Sequence, residues 1–111
     1  MNIQIKKRKG CCIFDFEQAE LTRGDVEELC LHVQKCRKNA KVALNFENIE
    51  RVHESFFDFI RSCDFSLLSP KSSLLALFSL RKTFNLAPIY LSIGDFLKNK
   101  RQIVKRDFRV V

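Results

Sequence analysis

The period of the hydrophobic pattern changes within residues 41–63. Residues 42–46 alternate large apolar side chains with smaller or polar ones, which predicts a short buried strand. From Glu54 onward, apolar residues recur every three or four positions, and this spacing predicts a helix with one buried stripe. The stripe consists of Phe56, Phe57, Ile60 and Cys63. Because loops at the carboxyl ends of strands often carry function, we expect any site to lie in the polar loop Asn48 to Ser55.

The segment before this unit is predicted to contain a hairpin and a helix. Residues 3–6 and 11–16 alternate in polarity around a basic turn, which predicts two antiparallel strands. An irregular connection is expected over residues 17–21. Thr22 followed three residues later by Asp25 is typical of a helix start, and the apolar stripe beyond it predicts a helix over residues 23–37.

The segment after residue 63 is predicted to contain a second central strand. Ser66 to Ser73 is rich in serine and contains Pro70, which predicts an irregular connection. The apolar run Leu74 to Leu80 predicts a second central strand, followed by a helical turn over residues 81–86. The residue pattern therefore predicts strand before helix in this part of the chain.

Alternation from Ile89 to Ile93 predicts the last strand, Gly94 is expected to end it, and Asp95 is expected to cap a short final helix. The predicted order is ββαβαβαβα. Single helices between successive strands indicate an α/β domain with a mixed sheet of about four to five strands, of which the later ones are parallel. We expect this domain to span residues 1–98 and residues 99–111 to form a basic extension, either an edge strand or a mobile tail.

Composition adds the nature of the core. The chain has 111 residues, 46% of them hydrophobic, with eleven Phe and no Trp, which fits one domain whose core is filled by phenylalanine rings. The inward phases of both periods predict ten core residues. They are Phe14, Phe16, Leu29, Val33, Leu44, Phe46, Phe57, Ile60, Leu75 and Leu77.

The five cysteines include no CxxC pair, and no secretory signal precedes them. Reduced thiols and a cytoplasmic location are therefore expected. No apolar run approaches the roughly 20 residues of a membrane-spanning helix. We therefore expect no membrane span.

The formal net charge is +7, and its excess is concentrated at the two ends of the chain. The two clusters are formed by Lys6, Lys7, Arg8, Lys9, Lys98, Lys100, Arg101, Lys105, Arg106 and Arg109. Such clusters can bind nucleic acid or another anionic surface, but they are also typical of a solvated surface, and no exposed aromatics are interleaved with them. Nucleic-acid binding is therefore an alternative function.

Two sets of residues have the side-chain types of chemical sites. Cys30, His32 and Cys36 could bind a metal, but residues two apart on a helix point to different sides, so we expect no metal site. His53, Ser55 and Asp58 have the residue types of a hydrolytic triad, but on a helix the side chains of His53 and Ser55 would not face each other. The sequence therefore predicts no catalytic residues, no cofactor and no enzyme activity.

Residues 44–60, LNFENIERVHESFFDFI, resemble the STAS domain (sulphate transporter and anti-sigma factor antagonist). Leu44 to Phe46 match the end of that family's central strand, and Ile49 and Val52 match two apolar loop positions. His53-Glu54-Ser55-Phe56 falls on the family's Asp-Ser-Ser/Thr-Gly tetrapeptide, which opens a helix. The resemblance extends over about residues 2–98 through the order of elements.

The resemblance implies a non-catalytic protein-interaction module. In anti-sigma factor antagonists the first serine of the tetrapeptide is phosphorylated by a partner kinase, but Glu54 stands at that position here. The usual phosphoswitch is therefore expected to be absent, with Ser55 as the remaining candidate hydroxyl. Another protein is the implied partner, either an anti-sigma factor or related kinase, or a subunit of a transporter or other assembly. The predicted partner-binding residues are His53, Glu54, Ser55, Phe56 and Asp58.

Overall fold

An antiparallel hairpin begins the chain. β1 (Ile3–Arg8) and β2 (Cys11–Phe16) pair so that Ile3 lies opposite Phe16 and Arg8 opposite Cys11. Gly10 lies in the turn between them with a φ of 77°, a conformation that favours glycine. The structure, a computed structural model, describes residues 2–8, 10–36, 41–80 and 87–98.

The hairpin extends into a mixed sheet of five strands. Its strand order is β1, β2, then the strands Lys41–Asn45, Ser66–Leu68 and Ile89–Tyr90, and all neighbours after the hairpin are parallel. The remaining elements in chain order are β3 (Glu20–Leu21), α1 (Arg23–Cys36), β4 (Lys41–Asn45), β5 (Arg51–Val52), α2 (Ser55–Ser62), β6 (Ser66–Leu68), α3 (Ser72–Leu80), β7 (Ile89–Tyr90) and α4 (Ile93–Leu97). The predicted α/β class with parallel later strands is confirmed.

Two of the predicted later elements are wrong. Leu74 to Leu80 belongs to helix α3 and is not a strand, while the strand at this point is β6, inside the predicted irregular connection. Parallel neighbours such as β6 and β7 require a long crossover, and α3 supplies it. The apolar run is long enough for more than two helical turns, and its lack of polar residues concealed the period.

Because residues 74–80 form a helix and not a strand, different residues of this segment face the core. Leu74 and Phe78, four residues apart, are buried, whereas the predicted core residues Leu75 and Leu77 are only half-buried. The other eight predicted core residues are buried. The order ββαβαβαβα is retained when the two-residue strands β3 and β5 are left aside, and the predicted turn over residues 81–86 lies outside the described residues.

The last strand is also shorter than predicted. β7 ends at Tyr90, and Ile93 already belongs to α4, with Gly94 inside the helix. The capping residue is Ser92, whose hydroxyl accepts from the backbone N–H of Asp95 at 3.1 Å, and not Asp95 itself. The predicted extension over residues 99–111 lies outside the described residues.

The two faces of the sheet carry cores of different size. Alternate residues of the strands, such as Phe14, Leu44 and Leu67, point to the side on which α1, α2 and α3 contribute buried residues. The intervening residues Ile13 and Leu68 belong to a smaller cluster with Phe96 of α4 and its neighbours. Three helices therefore share the larger core.

Phe46 lies at the centre of the larger core, directly after β4. Its ring centroid is 5.2 Å from that of Phe56, 5.8 Å from that of Phe16 and 6.1 Å from that of Phe78. These distances are typical of packed aromatic pairs. Phe46 thus connects the sheet with α2 and α3.

We predict that Phe46→Ala lowers the free energy of unfolding by about 3–5 kcal/mol, because the ring is fully buried and its removal leaves a cavity. Urea unfolding followed by circular dichroism measures the change. The control Leu31→Ala removes a side chain that is 61% exposed and should change stability by less than about 0.5 kcal/mol. Equal effects of the two substitutions would contradict the packing described here.

Candidate functional site

The loop between β4 and α2 begins at a buried polar residue. Asn45 lies in a strand whose other buried residues are apolar, and its side-chain amide donates to Asp15 Oδ1 at 2.7 Å. Its carbonyl oxygen accepts from the backbone N–H of Glu47 at 3.2 Å, and the side chain of Asn48 donates to the carbonyl of Phe16 at 2.9 Å. These bonds tie the start of the loop to the end of β2.

The second half of the loop is held by a small parallel ribbon. β5 pairs with β3, so that Leu21 lies beside Val52. The carbonyl of Ala19 accepts from the N–H groups of Glu50 and Arg51, and the carbonyl of Leu21 accepts from His53 at 2.8 Å. Because each strand of the ribbon leads into a helix, α1 and α2 begin side by side.

The start of α1 has a reciprocal cap. The hydroxyl of Thr22 accepts from the N–H of Asp25 at 3.2 Å, while Asp25 Oδ2 accepts from the N–H and the hydroxyl of Thr22, each at 2.9 Å. Gln18 donates to the same carboxylate oxygen. Burial alone would raise the pKa of Asp25, but the hydrogen bonds from Thr22 and Gln18 outweigh burial and hold the pKa below its ordinary value.

The predicted helix start at Thr22 is thus confirmed, and it generates a pH prediction. Since the pKa of Asp25 is lower in the folded state, its stabilisation is present above the unfolded pKa and is lost as the pH falls through the folded value. Asp25→Asn should therefore be less stable than the unchanged protein at neutral pH, with a gap that narrows below about pH 4. Urea unfolding across this range measures the gap, with Asp64→Asn as the charge-matched control. A gap independent of pH would contradict this role.

The start of α2 is capped by a histidine. The backbone N–H of Ser55 donates to His53 Nδ1 at 3.1 Å, as to the side chain of a helix cap. The hydroxyl oxygen of Ser55 lies 2.9 Å from the same nitrogen. The backbone N–H and the hydroxyl of Ser55 thus both lie against one imidazole nitrogen.

This contact corrects the expectation that His53 and Ser55 would not face each other. That expectation applied the geometry of a helix, but α2 begins at Ser55, and His53 precedes it. Asp58, the third residue type of the triad, pairs with Arg61 at 3.6 Å between Oδ1 and a guanidinium nitrogen. The described hydrogen bonds therefore form a helix cap, with no carboxylate orienting His53.

Glu54 occupies the boundary of α2 without capping it. Its φ and ψ are −58° and −28°, already helical, and its side chain makes no capping hydrogen bond. The residue is exposed. Its charge therefore lies beside two helix starts, where helix dipoles favour an anion.

Phe56 must be removed from the predicted partner surface. Its side chain is 0% exposed, with its ring centroid 5.2 Å from that of Phe46 and about equally packed against four other phenylalanines. The spacing of the stripe had already indicated a buried position. Phe56 packs α2 against the larger core. Of the other predicted partner-binding residues, Ser55 is half-buried, and the exposed ones are His53, Glu54 and Asp58.

The other candidate residues are distributed over the molecule. Lys6, on β1, pairs with Asp15 at 2.7 Å, Lys7 and Arg8 are exposed on the same strand, and Lys98 lies at the end of α4. The remaining basic residues of the two clusters lie outside the described residues. They are Lys9, Lys100, Arg101, Lys105, Arg106 and Arg109.

Cys30, His32 and Cys36 do not meet. The ring of His32 packs edge-on against that of Phe14, with 6.3 Å between the ring centroids, while Cys30 and Cys36 pack against the larger core. Within the described residues there is no group of three or more potential metal ligands. In the same part of the chain, no helix has both the length and the apolar character to cross a membrane.

We predict that His53→Ala lowers the free energy of unfolding by about 1 kcal/mol, because the first N–H of α2 loses its acceptor. His53→Asn should retain most of the stability, since an asparagine oxygen can accept from the N–H two residues later. Urea unfolding of both variants tests this. The role of His53 as a cap would be disproved if the alanine variant were as stable as the asparagine variant.

Comparison with solved structures identifies the fold of this chain. No family model and no curated protein matches the sequence. Among solved structures, an anti-sigma-factor antagonist (STAS) domain protein from Planctomyces limnophilus is similar, with a TM-score of 0.73 and 16% identity, covering 87% of this chain and 95% of the other. The anti-sigma factor antagonist SpoIIAA in its unphosphorylated form has a TM-score of 0.59 and 15% identity, covering 88% and 96%. The chain therefore has the STAS fold.

Proposed function

We propose that this protein is a non-catalytic interaction module of the anti-sigma factor antagonist type, acting in the cytoplasm on another protein. The observation that supports it is the exposed set His53, Glu54 and Asp58 around Ser55, on a loop fixed at both ends by hydrogen bonds. A preformed loop lowers the entropy lost on binding. The partner is an anti-sigma factor or related kinase, or a subunit of a transporter or other assembly.

The proposed surface differs from a phosphoserine switch in carrying a permanent charge. Glu54 supplies about one negative charge at neutral pH, against about 1.5 to 2 for a phosphoserine. It lies beside the N-terminal poles of α1 and α2, where an anion is favoured. The module is therefore held in a state similar to a phosphorylated one, without a kinase having to act on residue 54.

Ser55 remains the candidate for modification in this region. Its hydroxyl oxygen lies 2.9 Å from His53 Nδ1, and this contact orients the oxygen. A phosphate on Ser55 would disrupt the contact and add charge next to Glu54. Phosphorylation at Ser55 would therefore loosen the cap as well as change the surface charge.

The charge of the site supports a protein partner over nucleic acid at this surface. Residues 47–61 contain four exposed acidic residues and two arginines. They are Glu47, Glu50, Glu54, Asp58, Arg51 and Arg61. An acidic surface repels phosphate backbones. The basic clusters are the remaining candidates for nucleic-acid binding, and one of their residues, Lys6, is already paired with Asp15. Binding of a phosphate backbone by these clusters would weaken steeply with added salt.

Substitution of Glu54 tests the proposal. An affinity pull-down with mass spectrometry identifies the partner, and titration calorimetry with the purified partner then compares variants. Glu54→Ser and Glu54→Lys should each change the dissociation constant by at least about fivefold, in a charge-dependent manner, while changing stability by no more than about 1 kcal/mol.

The matched controls are Asp64→Ser and Asp64→Lys, which change an exposed carboxylate beyond the other end of α2. They should leave the dissociation constant unaltered. If both Glu54 variants bind with unchanged affinity, the loop is not the interaction surface and the proposal fails.

A further inference from the structure

The sheet ends on one side at a long, exposed strand. Among the described strands, β1 pairs with β2 alone and occupies one end of the strand order, and five of its six residues are exposed. The strand at the opposite edge, β7, has only two residues, and both are buried. β1 is therefore the edge to which a further strand can be added.

The hydrogen bonds of the hairpin show which peptide groups of β1 point outward. The backbone N–H of Glu17 donates to the carbonyl of Asn2 at 2.9 Å, and the register of the hairpin, continued by one residue, places these two residues opposite each other. Residues of an antiparallel pair alternate between bonding to the partner strand and pointing their N–H and C=O groups away from it. The outward groups of β1 therefore belong to Ile3, Ile5 and Lys7.

Charge is distributed unevenly along this edge. The second half of β1 is basic, with Lys6, Lys7 and Arg8, whereas its first half is uncharged. Antiparallel pairing places the uncharged half beside the end of β2, where Asp15 and Glu17 carry negative charge. The edge thus has one basic half and one half with acidic residues behind it.

We propose that β1 binds β1 of a second copy of this chain in antiparallel orientation, so that the two five-stranded sheets join across a twofold axis at Ile5. The proposal does not depend on the proposed function, because β2 separates this edge from β4 and from the loop that follows β4.

The outward groups and the charges together select this register. Lysines on an edge strand usually prevent pairing, because like charges are brought together. With Ile5 opposite Ile5 of the second copy, however, Lys7 lies opposite Ile3 and Lys6 opposite Gln4, so that no two basic residues are paired. The two nearest registers that also match the outward groups are centred on Lys6 and Gln4. The first places two lysines opposite each other, and the second shortens the ladder.

The same register brings the basic half of each strand near acidic residues of the other copy. Arg8 lies opposite Asn2 of the second copy, and Glu17 lies beside that Asn2 in the next strand, on the same face of the sheet. Two strand spacings amount to about 9.5 Å, a distance that extended arginine and glutamate side chains can span. Neither Arg8 nor Glu17 belongs to an ion pair within the described residues. Charge complementarity therefore favours a second copy as the partner of this edge.

Ile5 supplies the apolar centre of the contact. Its side chain is 40% exposed, although it lies opposite the fully buried Phe14 of β2. On the twofold axis it would pack against its counterpart, which removes apolar surface of both copies from water. Six residues from each copy are fewer than the roughly 20–30 of a stable interface, so we expect a weak dimer that forms as the concentration rises.

Sedimentation velocity of the purified full-length protein, in reducing buffer over a concentration series, should therefore show a reversible monomer–dimer equilibrium. Ile5→Lys places two lysines opposite each other on the axis and should weaken the dimer by at least about fivefold. A protein that stays monomeric at every concentration would overturn the proposal.

The matched control is Leu91→Lys, which adds the same charge at an apolar residue of similar exposure, 47%, just beyond β7 at the opposite edge. This variant should dimerise as the unchanged protein does. If Ile5→Lys dimerises as tightly as Leu91→Lys, the contact does not lie at β1 and the proposal fails.

Disulfide trapping tests the register itself. In a hydrogen-bonded antiparallel pair the Cα atoms are about 5.5 Å apart, within the range that a disulfide spans. Ile5→Cys treated with oxidised glutathione should therefore give a covalent dimer linked through position 5 of both copies. Lys7→Cys should give no link between its own two copies, because the two Cα atoms at position 7 would be about 14 Å apart.

Peptide mapping by mass spectrometry distinguishes these links from any formed by the five native cysteines. Absence of a link through position 5, or equal linking in the two variants, would overturn the proposal. The edge would then be open to a different partner, such as an acidic peptide of another protein.

Discussion

The buried contact between Phe46 and Phe56 connects the sheet to the candidate site. Phe46 follows β4 and Phe56 lies in the first turn of α2, so one aromatic pair fixes where the strand ends and where the helix begins. The residues between them must then form a loop of defined span. The ring of Phe78, on α3, packs against both rings, so the third helix contacts this aromatic pair as well. The position of the exposed residues 53–55 therefore follows from apolar packing beneath them.

The loop itself is held by polar contacts that differ at the two helix starts. At α1, the Thr22 hydroxyl accepts from the N–H of Asp25 and the Asp25 carboxylate accepts from the N–H of Thr22, while α2 uses an imidazole nitrogen of His53. The carboxylate neutralises part of the positive pole of α1, but the imidazole leaves the pole of α2 to be balanced by Glu54 or by a ligand. In the proposed function, this difference is the reason why the start of α2 would respond to the charge of Glu54.

Much of the fold could be predicted from the sequence because its strongest signals are local. The hairpin, α1 with Thr22, and the βα unit around Phe46 each had a clear period or cap, and the structure places them within a few residues of their predicted bounds. The run Leu74 to Leu80 failed because it has no polar positions, so the period of a helix and that of a strand look alike there. The sheet order distinguishes helix from strand here, because β6 occupies the place between β4 and β7.

The location of the candidate site in the loop stays a prediction. The His53–Ser55 contact could not be predicted, because it depends on the residue at which α2 begins. Asn45 was available as a signal, since a polar residue in an apolar strand needs a buried partner, and Asp15 is that partner.

Site-specific photo-crosslinking tests most directly whether the start of α2 is the partner-contact surface. A photo-reactive amino acid is placed at Asp58, in the first turns of α2, in one variant and at Asp64, beyond the C-terminal end of α2, in another, both of them exposed. With the purified partner, irradiation should give a covalent adduct from position 58 and none from position 64. An adduct from position 64 without one from position 58 would show that the partner binds the opposite end of the domain.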